Sequence, residues 1–208
     1  MMVKICGITR AEDAHAAADE GAAAVGFIFV RSSPRYIVPE AARDIIAELP
    51  PFVCPVGVFV NEPRPDVLGA IAVTGIRCLQ FHGEETPAET AGYPVPVIKA
   101  FRVGDGFDPS VIGAYALPAY LLDASVDGLR GGTGRTFDWK RAKEASRFGR
   151  IILSGGITPD NIARAALAVV PYAIDVSSGV ESSPGVKDRG KIRSLFENLR
   201  TAHDHDTH

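Results

Sequence analysis

Reactive side chains recur at one kind of position in this sequence: the last residue of a short apolar run, or the first few residues beyond it. Cys6 closes one run and Asp123 another; Gln80 with His82, Lys99 with Arg102, Ser154, and Asp175 with Ser177 and Ser178 close four more, and Arg35 and Asn61 stand just past two others. A thiol and a carboxyl held on opposite sides of one cavity make an acid–base pair in outline, the thiolate removing a proton and the carboxyl delivering one. Lys4 shares a face with Cys6 under the two-residue period of a strand, and an ammonium there favours the thiolate. Taken alone, a cysteine with apolar neighbours reads as packing, and that is the reading for Cys54 and Cys78. Polarity also rises wherever a strand gives way to a loop, which accounts for Asn61, Lys99 and Arg102 without any chemistry.

Glycine placement is a second signal. Gly131-Gly132-Thr133-Gly134, Ser154-Gly155-Gly156 and Asp175-Val176-Ser177-Ser178-Gly179 follow the sixth, seventh and eighth runs. Glycines let backbone N–H groups approach an anion closely. One such loop is explained as a tight turn; three in consecutive connections point to a phosphorylated ligand.

These residues can meet only if the runs lie side by side. The runs are Val3–Cys6, Ala24–Phe29, Pro55–Val60, Cys78–Phe81, Val95–Phe101, Ala119–Asp123, Arg150–Leu153 and Ala173–Val176, each followed by helical spacing of Ala, Leu and Ile. Runs apolar on both faces and separated by helices call for a parallel sheet covered by helices, and eight such units close it into an α/β (β/α)8 TIM barrel whose active site gathers at the C-terminal strand ends. An open doubly wound sheet is the rival architecture, but G-x-G-x-x-G is absent after the first run. Helix starts are expected after Thr9, at Pro39, after Asp138 and at Thr158-Pro159, with a last helix over Asp188 to Leu199. The barrel is one domain over residues 1–200, and 201–208 is a flexible tail carrying three of the five histidines, His203, His205 and His208.

Composition narrows the function classes. With 208 residues, 46% apolar and 23% charged, the chain lies far from disordered or fibrous compositions. The net charge of −3, with neither sign gathered into a block, speaks against nucleic acid or an anionic membrane as partner. The longest apolar stretch, Gly21 to Val30, covers ten residues, against the roughly 20 that a membrane-crossing helix needs. The polar start has no secretion signal, so a cytoplasmic protein is expected. Three widely spaced cysteines without C-x-x-C argue against a disulfide framework and a zinc site.

KICGIT (Lys4–Thr9), SPR (Ser33–Arg35), QFHG (Gln80–Gly83), LLDA (Leu121–Ala124), GGTG with FDW (Gly131–Gly134, Phe137–Trp139), SGGITPDN (Ser154–Asn161) and DVSSGVE…PGVKD (Asp175–Asp188) form one ordered set. In this set, from the first strand to the last helix, the chain resembles the phosphoribosylanthranilate isomerases of tryptophan biosynthesis. The resemblance implies an aldose–ketose isomerase that performs an Amadori rearrangement of a small phosphorylated substrate, N-(5-phosphoribosyl)anthranilate, with no cofactor and no metal. It implies Asp123 as general acid and Cys6 as general base, which asks for a raised pKa at the first and a lowered one at the second. Arg35 would hold the anthranilate carboxylate, Asp175 would sit near the substrate amine, and His82 would line the substrate site in a role left open. Gly132, Gly156, Ser177 and Ser178 would grip the phosphate. Other phospho-sugar barrel enzymes, such as indole-glycerol-phosphate synthase or a ribulose-phosphate epimerase, are the rival reading, but the strand ends do not reproduce their lysine and glutamate residues or metal-bound histidines; a noncatalytic phosphate-ligand binder is the third, and the joint presence of Cys6 and Asp123 disfavours it. Monomer and homodimer stay open, and the glycines between Asp123 and Arg135 suggest a lid.

Overall fold

The computed structural model describes residues 1–104, 106–124 and 139–204. Eight parallel strands close into a barrel: β1 (Met2–Cys6), β2 (Ala24–Ile28), β3 (Cys54–Phe59), β4 (Cys78–Phe81), β5 (Val97–Arg102), β6 (Ala119–Asp123), β7 (Ile151–Ser154) and β8 (Ala173–Val176). Closure is made by β8 against β1, with Val3 opposite Ile174 and Lys4 opposite Asp175. Each strand lies within two residues of its expected bounds.

Alternation along each strand builds two cores. Val3, Ile5, Val25, Phe27, Leu79, Leu122, Leu153 and Ile174 face outward into one continuous layer under the helices, together with Ala14, Ala17, Val67, Ile192 and Leu195. Val56, Cys78, Ile98, Ala119, Leu121, Ile152 and Ala173 face inward and fill the barrel's lower interior. Cys78 is therefore packing, as expected, and Cys54 packs against the same inner cluster. One strand repeat further along that inner face the residue type changes from apolar to polar, at Lys4, Gln80 and Asp175, all buried. The polar layer thus opens only at the C-terminal end.

The covering helices are α1 (Ala11–Glu20), α2 (Pro39–Ala47), α3 (Arg64–Thr74), α4 (Pro87–Thr90), α5 (Trp139–Ala145), α6 (Ile162–Val169) and α7 (Arg189–Asp204). Two connections depart from the expected helix after every strand. The fourth, α4, is a single turn, begun by a capping box in which Thr86 and Glu89 satisfy each other's backbone N–H. The fifth is a 3-10 segment, Pro109–Ala114, because Gly104, Gly106, Pro109 and Gly113 leave no stretch able to sustain an α-helix. Thr9 is not a helix cap: α1 starts beyond it from Arg10, and the Thr9 hydroxyl donates to the Gly185 carbonyl at 2.5 Å. The α6 helix begins at Ile162, later than Thr158-Pro159, after a turn in which the Thr158 N–H donates to Asn161 Oδ1 at 2.9 Å.

The last helix runs past Leu199 to Asp204, since Ala202 continues the buried stripe of Leu195 and Leu199. The first four residues of the expected tail are therefore helical; His205 and His208 lie outside the described residues. Among the described residues no helix is long and apolar enough to cross a membrane.

Candidate active site

The β1 strand ends in the dipeptide Cys6-Gly7, and its inner face carries Lys4 directly below Cys6. Gly26 on β2 makes room for both: a Cβ there would stand 2.7 Å from Cys6 Sγ and 3.1 Å from Lys4 Nζ. The Lys4 ammonium donates to Asp175 Oδ1 at 2.6 Å in a pair with side chains 5% and 6% exposed, and the same ammonium acts on Cys6. Ser154 Oγ, at the end of β7, donates to the other Asp175 oxygen at 3.1 Å.

This corrects the expectation of an acidified thiol. Burial pushes the Cys6 thiol up, and the Asp175 charge adds to it; Lys4 and Lys187 pull the other way without prevailing. Lys4 itself is held above its ordinary value, since the pairing with Asp175 outweighs the burial that opposes its charge.

A second cluster stands across the mouth. His82 Nε2 lies 3.1 Å from Asp123 Oδ2, and His82 Nδ1 lies 3.1 Å from Gln80 Nε2. With the Gln80 amide nitrogen facing Nδ1, a neutral ring that accepts there would carry its proton on Nε2 and donate it to the carboxyl of Asp123. Gln80 Oε1 is buried with no hydrogen-bond partner among the described residues. A cleft of about 290 Å³ opens beside the pair, lined by His82, Arg102, Phe107, Val111 and Tyr115.

Arg35, beyond β2, reaches over the first cluster. Its Nε and Nη2 donate to the two oxygens of Glu181 at 2.8 and 2.7 Å. Lys187 Nζ donates to Glu181 Oε1 at 2.9 Å and to the Ser177 carbonyl at 3.1 Å. Burial opposes the Glu181 carboxylate, but the hydrogen bonds from Arg35 and Lys187 outweigh it and hold the carboxyl below its usual range. Burial likewise draws Lys187 down in spite of Glu181. The Arg35 stem lies against Gly7, where a Cβ would come 2.7 Å from Arg35 Cδ and 3.2 Å from Ser177 Oγ; at φ +79° the position also favours glycine by backbone conformation.

The glycine loops after β7 and β8 sit in direct backbone contact, for a Cβ on Gly179 would fall 1.8 Å from the Ile157 carbonyl oxygen. Gly155 and Gly156 both adopt positive φ, +94° and +65°, and Asn161 ties the loop by donating to the Gly156 carbonyl at 2.8 Å. Gly156, Ser177 and Ser178 are thus brought to one side of the mouth. Gly132, with the Gly131–Gly134 loop and most of the expected lid, lies outside the described residues.

Asn61 and Lys99 fulfil the plain reading. Lys99 points to the outer face of β5 and is buried against Glu85 at 2.9 Å, and the Asn61 N–H donates to the same carboxylate at 2.7 Å. Glu181, Lys187 and the Ser154–Asp175 contact went unread as functional. Glu181 and Lys187 lie inside the DVSSGVE…PGVKD stretch, but nothing in their spacing signals a partner at Arg35.

The family description of N-(5'-phosphoribosyl)anthranilate (PRA) isomerase matches residues 3–198. A relative of that name from Citrifermentans bemidjiense is 52% identical over 194 residues, covering 93% of this chain and 94% of its own. The crystal structure of the phosphoribosyl anthranilate isomerase from Thermotoga maritima superposes with a TM-score of 0.89 at 42% identity, covering 97% and 99% of the two chains; that protein is described as dimeric. A further isomerase structure, bound to reduced 1-(o-carboxyphenylamino)-1-deoxyribulose 5-phosphate, gives a TM-score of 0.85 at 40% identity over 97% and 99%. With its closed barrel and a family match that runs over residues 3–198, this chain belongs to the N-(5'-phosphoribosyl)anthranilate isomerases.

Proposed function

We propose that the reaction of this family, the Amadori rearrangement of N-(5-phosphoribosyl)anthranilate to 1-(o-carboxyphenylamino)-1-deoxyribulose 5-phosphate in tryptophan biosynthesis, is carried in this chain by Asp123 and Cys6. The observation that supports the assignment is the placement of both residues on the inner register of strand ends, at one mouth, each backed by a separate polar cluster. Asp123 gives a proton to the ribose ring oxygen; the C1′–O bond breaks and the anilino nitrogen lone pair forms an iminium. Cys6 removes the C2′ proton, the electrons of that C–H bond neutralise the iminium, and the resulting enolamine tautomerises to the ketone.

The acidity of the C2′ proton orders these steps, because it depends on the iminium formed by ring opening. Lys4 and Lys187 draw the Cys6 thiol toward the thiolate against burial and Asp175, and the iminium formed by ring opening adds a further positive charge beside it. Acid catalysis at Asp123 therefore precedes base catalysis at Cys6. Arg35 binds the anthranilate carboxylate, Asp175 faces the substrate amine, His82 lines the substrate site, and Gly132, Gly156, Ser177 and Ser178 hold the phosphate. No metal, cofactor or nucleic acid enters this reading, which places the enzyme in the cytoplasm as a monomer or homodimer.

The test is loss of anthranilate-type fluorescence when the pure protein, with EDTA, meets freshly formed phosphoribosylanthranilate. Wild-type turnover that collapses in both Cys6→Ser and Asp123→Asn supports the assignment. Turnover surviving both substitutions overturns the roles, and no wild-type turnover overturns the reaction.

A further inference from the structure

We propose that Glu181, locked by Lys187, is a positioning residue that aims Arg35, taking the side edge of its guanidinium so that the end edge is presented to an aryl carboxylate. The inference rests on the reading of Arg35 given above and adds to it how the selection is made.

A guanidinium offers two edges able to grip a carboxylate with paired N–H groups: the side edge formed by Nε and one Nη, and the end edge formed by the two Nη atoms. Glu181 holds the side edge through Nε and Nη2. Nη1 has no protein partner among the described residues, and the Arg35 side chain is 21% exposed, so the end edge stays available at the mouth beside Gly7. Glu181 cannot follow the substrate. Its Oε1 already accepts from Arg35 Nε, from Lys187 Nζ and from the Gly185 N–H at 3.3 Å, and its Oε2 accepts from Arg35 Nη2, which pins both ends of the carboxylate. Lys187 is fully enclosed and tied to the Ser177 carbonyl. The three side chains carry two positive charges and one negative, so the cluster keeps one unit of positive charge for an incoming anion.

The alternative role is a structural ion pair that merely joins the loop after β2 to the hairpin formed by β9 (Glu181–Ser183) and β10 (Val186–Lys187). Calorimetric binding of two stable ligands separates the two. One is the reduced product analogue bearing the ring carboxylate, and the other is the same molecule without it. Wild type should prefer the first by about 10- to 100-fold, the worth of a charge-assisted pair. In Glu181→Gln the preference should fall to about threefold or less, with affinity for the decarboxylated ligand unchanged within twofold. Equal weakening of both ligands, or a preference kept at the wild-type value, overturns the proposal.

Arg35→Lys supplies the second variant should Glu181→Gln fail to fold. A lysine keeps the charge but has no paired edges to grip a second carboxylate in a bidentate way, so the preference should fall to about threefold or less; a preference kept at the wild-type value refutes the two-edge argument. Wild type binding both ligands equally would overturn this proposal and the Arg35 assignment while leaving turnover intact. Wild type binding neither would overturn the isomerase reading with it.

Discussion

Replacing Lys4 with methionine separates two duties of one buried ammonium. The Lys4–Asp175 contact is 2.6 Å between side chains 5% and 6% exposed. At an effective dielectric of about 20, unit charges at this distance attract by roughly 6 kcal/mol, and most of that only offsets the cost of burying them. Without Lys4 the attraction goes but the buried carboxylate stays, keeping a single hydrogen bond from Ser154. The expected loss is about 3–5 kcal/mol, on the order of 10 °C in Tm for a chain of this size. The second duty concerns Cys6, which loses one of the two cations opposing its upward shift, so turnover should fall as well. In Lys4→Met/Asp175→Asn the orphaned charge is removed while Ser154 keeps an acceptor. Stability should then return to within about 2 kcal/mol of wild type, with turnover still low. Differential scanning calorimetry at pH 7.5 and the fluorescence assay read both quantities. A single variant within 2 °C of wild type in Tm, or a double variant no more stable than the single (both read against the roughly 2–4 °C per kcal/mol expected here), would refute the buried-pair argument.

Three further outcomes follow from other sites. Val170 caps α6 at φ +51° while 75% exposed, a left-handed conformation that a β-branched residue adopts only at a cost; Val170→Gly should raise Tm by about 2–4 °C, and an unchanged Tm would show the strain to be absent. Burial, with Cys54 nearby, pushes the Cys78 thiol up to about 12 from 9.0. Above pH 9 the unfolded chain releases this proton while the folded chain keeps it, so stability falls as pH rises. Between pH 9 and 10.5 that loss is about 2 kcal/mol, and urea unfolding should show Cys78→Val spared it; equal losses in both proteins would contradict the assignment. Finally, the Gln80 amide places the His82 ring proton on Nε2, so nitrogen NMR should find Nδ1 unprotonated in the neutral ring, and a proton on Nδ1 would reverse the hydrogen-bond directions assigned here.

What the sequence made legible was whatever depends on neighbours along the chain. Runs such as Ala119–Asp123 are apolar on both faces, which requires cover on both faces, and the two-residue period put Lys4 below Cys6 and Gln80 below His82 on one side of the sheet. The fourth and fifth connections were misread because helical spacing over so few residues is overruled by Pro109 and its flanking glycines. What the sequence hid depends on closure. Lys4 and Asp175 are 171 residues apart, and Arg35 and Glu181 are separated by 146.

That division explains why the residue type at position 6 was readable and its electrostatic surroundings were not. The residue type at position 6 is a local fact, whereas the charge around it is assembled when β8 pairs with β1 and brings Asp175 to Lys4. The last strand sets a carboxylate against the cation that the first strand supplies. Burial and that carboxylate push the Cys6 thiol up, while Lys4 and Lys187 oppose them. The balance of charge at Cys6 is thereby set by the barrel's closure, which no single strand could establish.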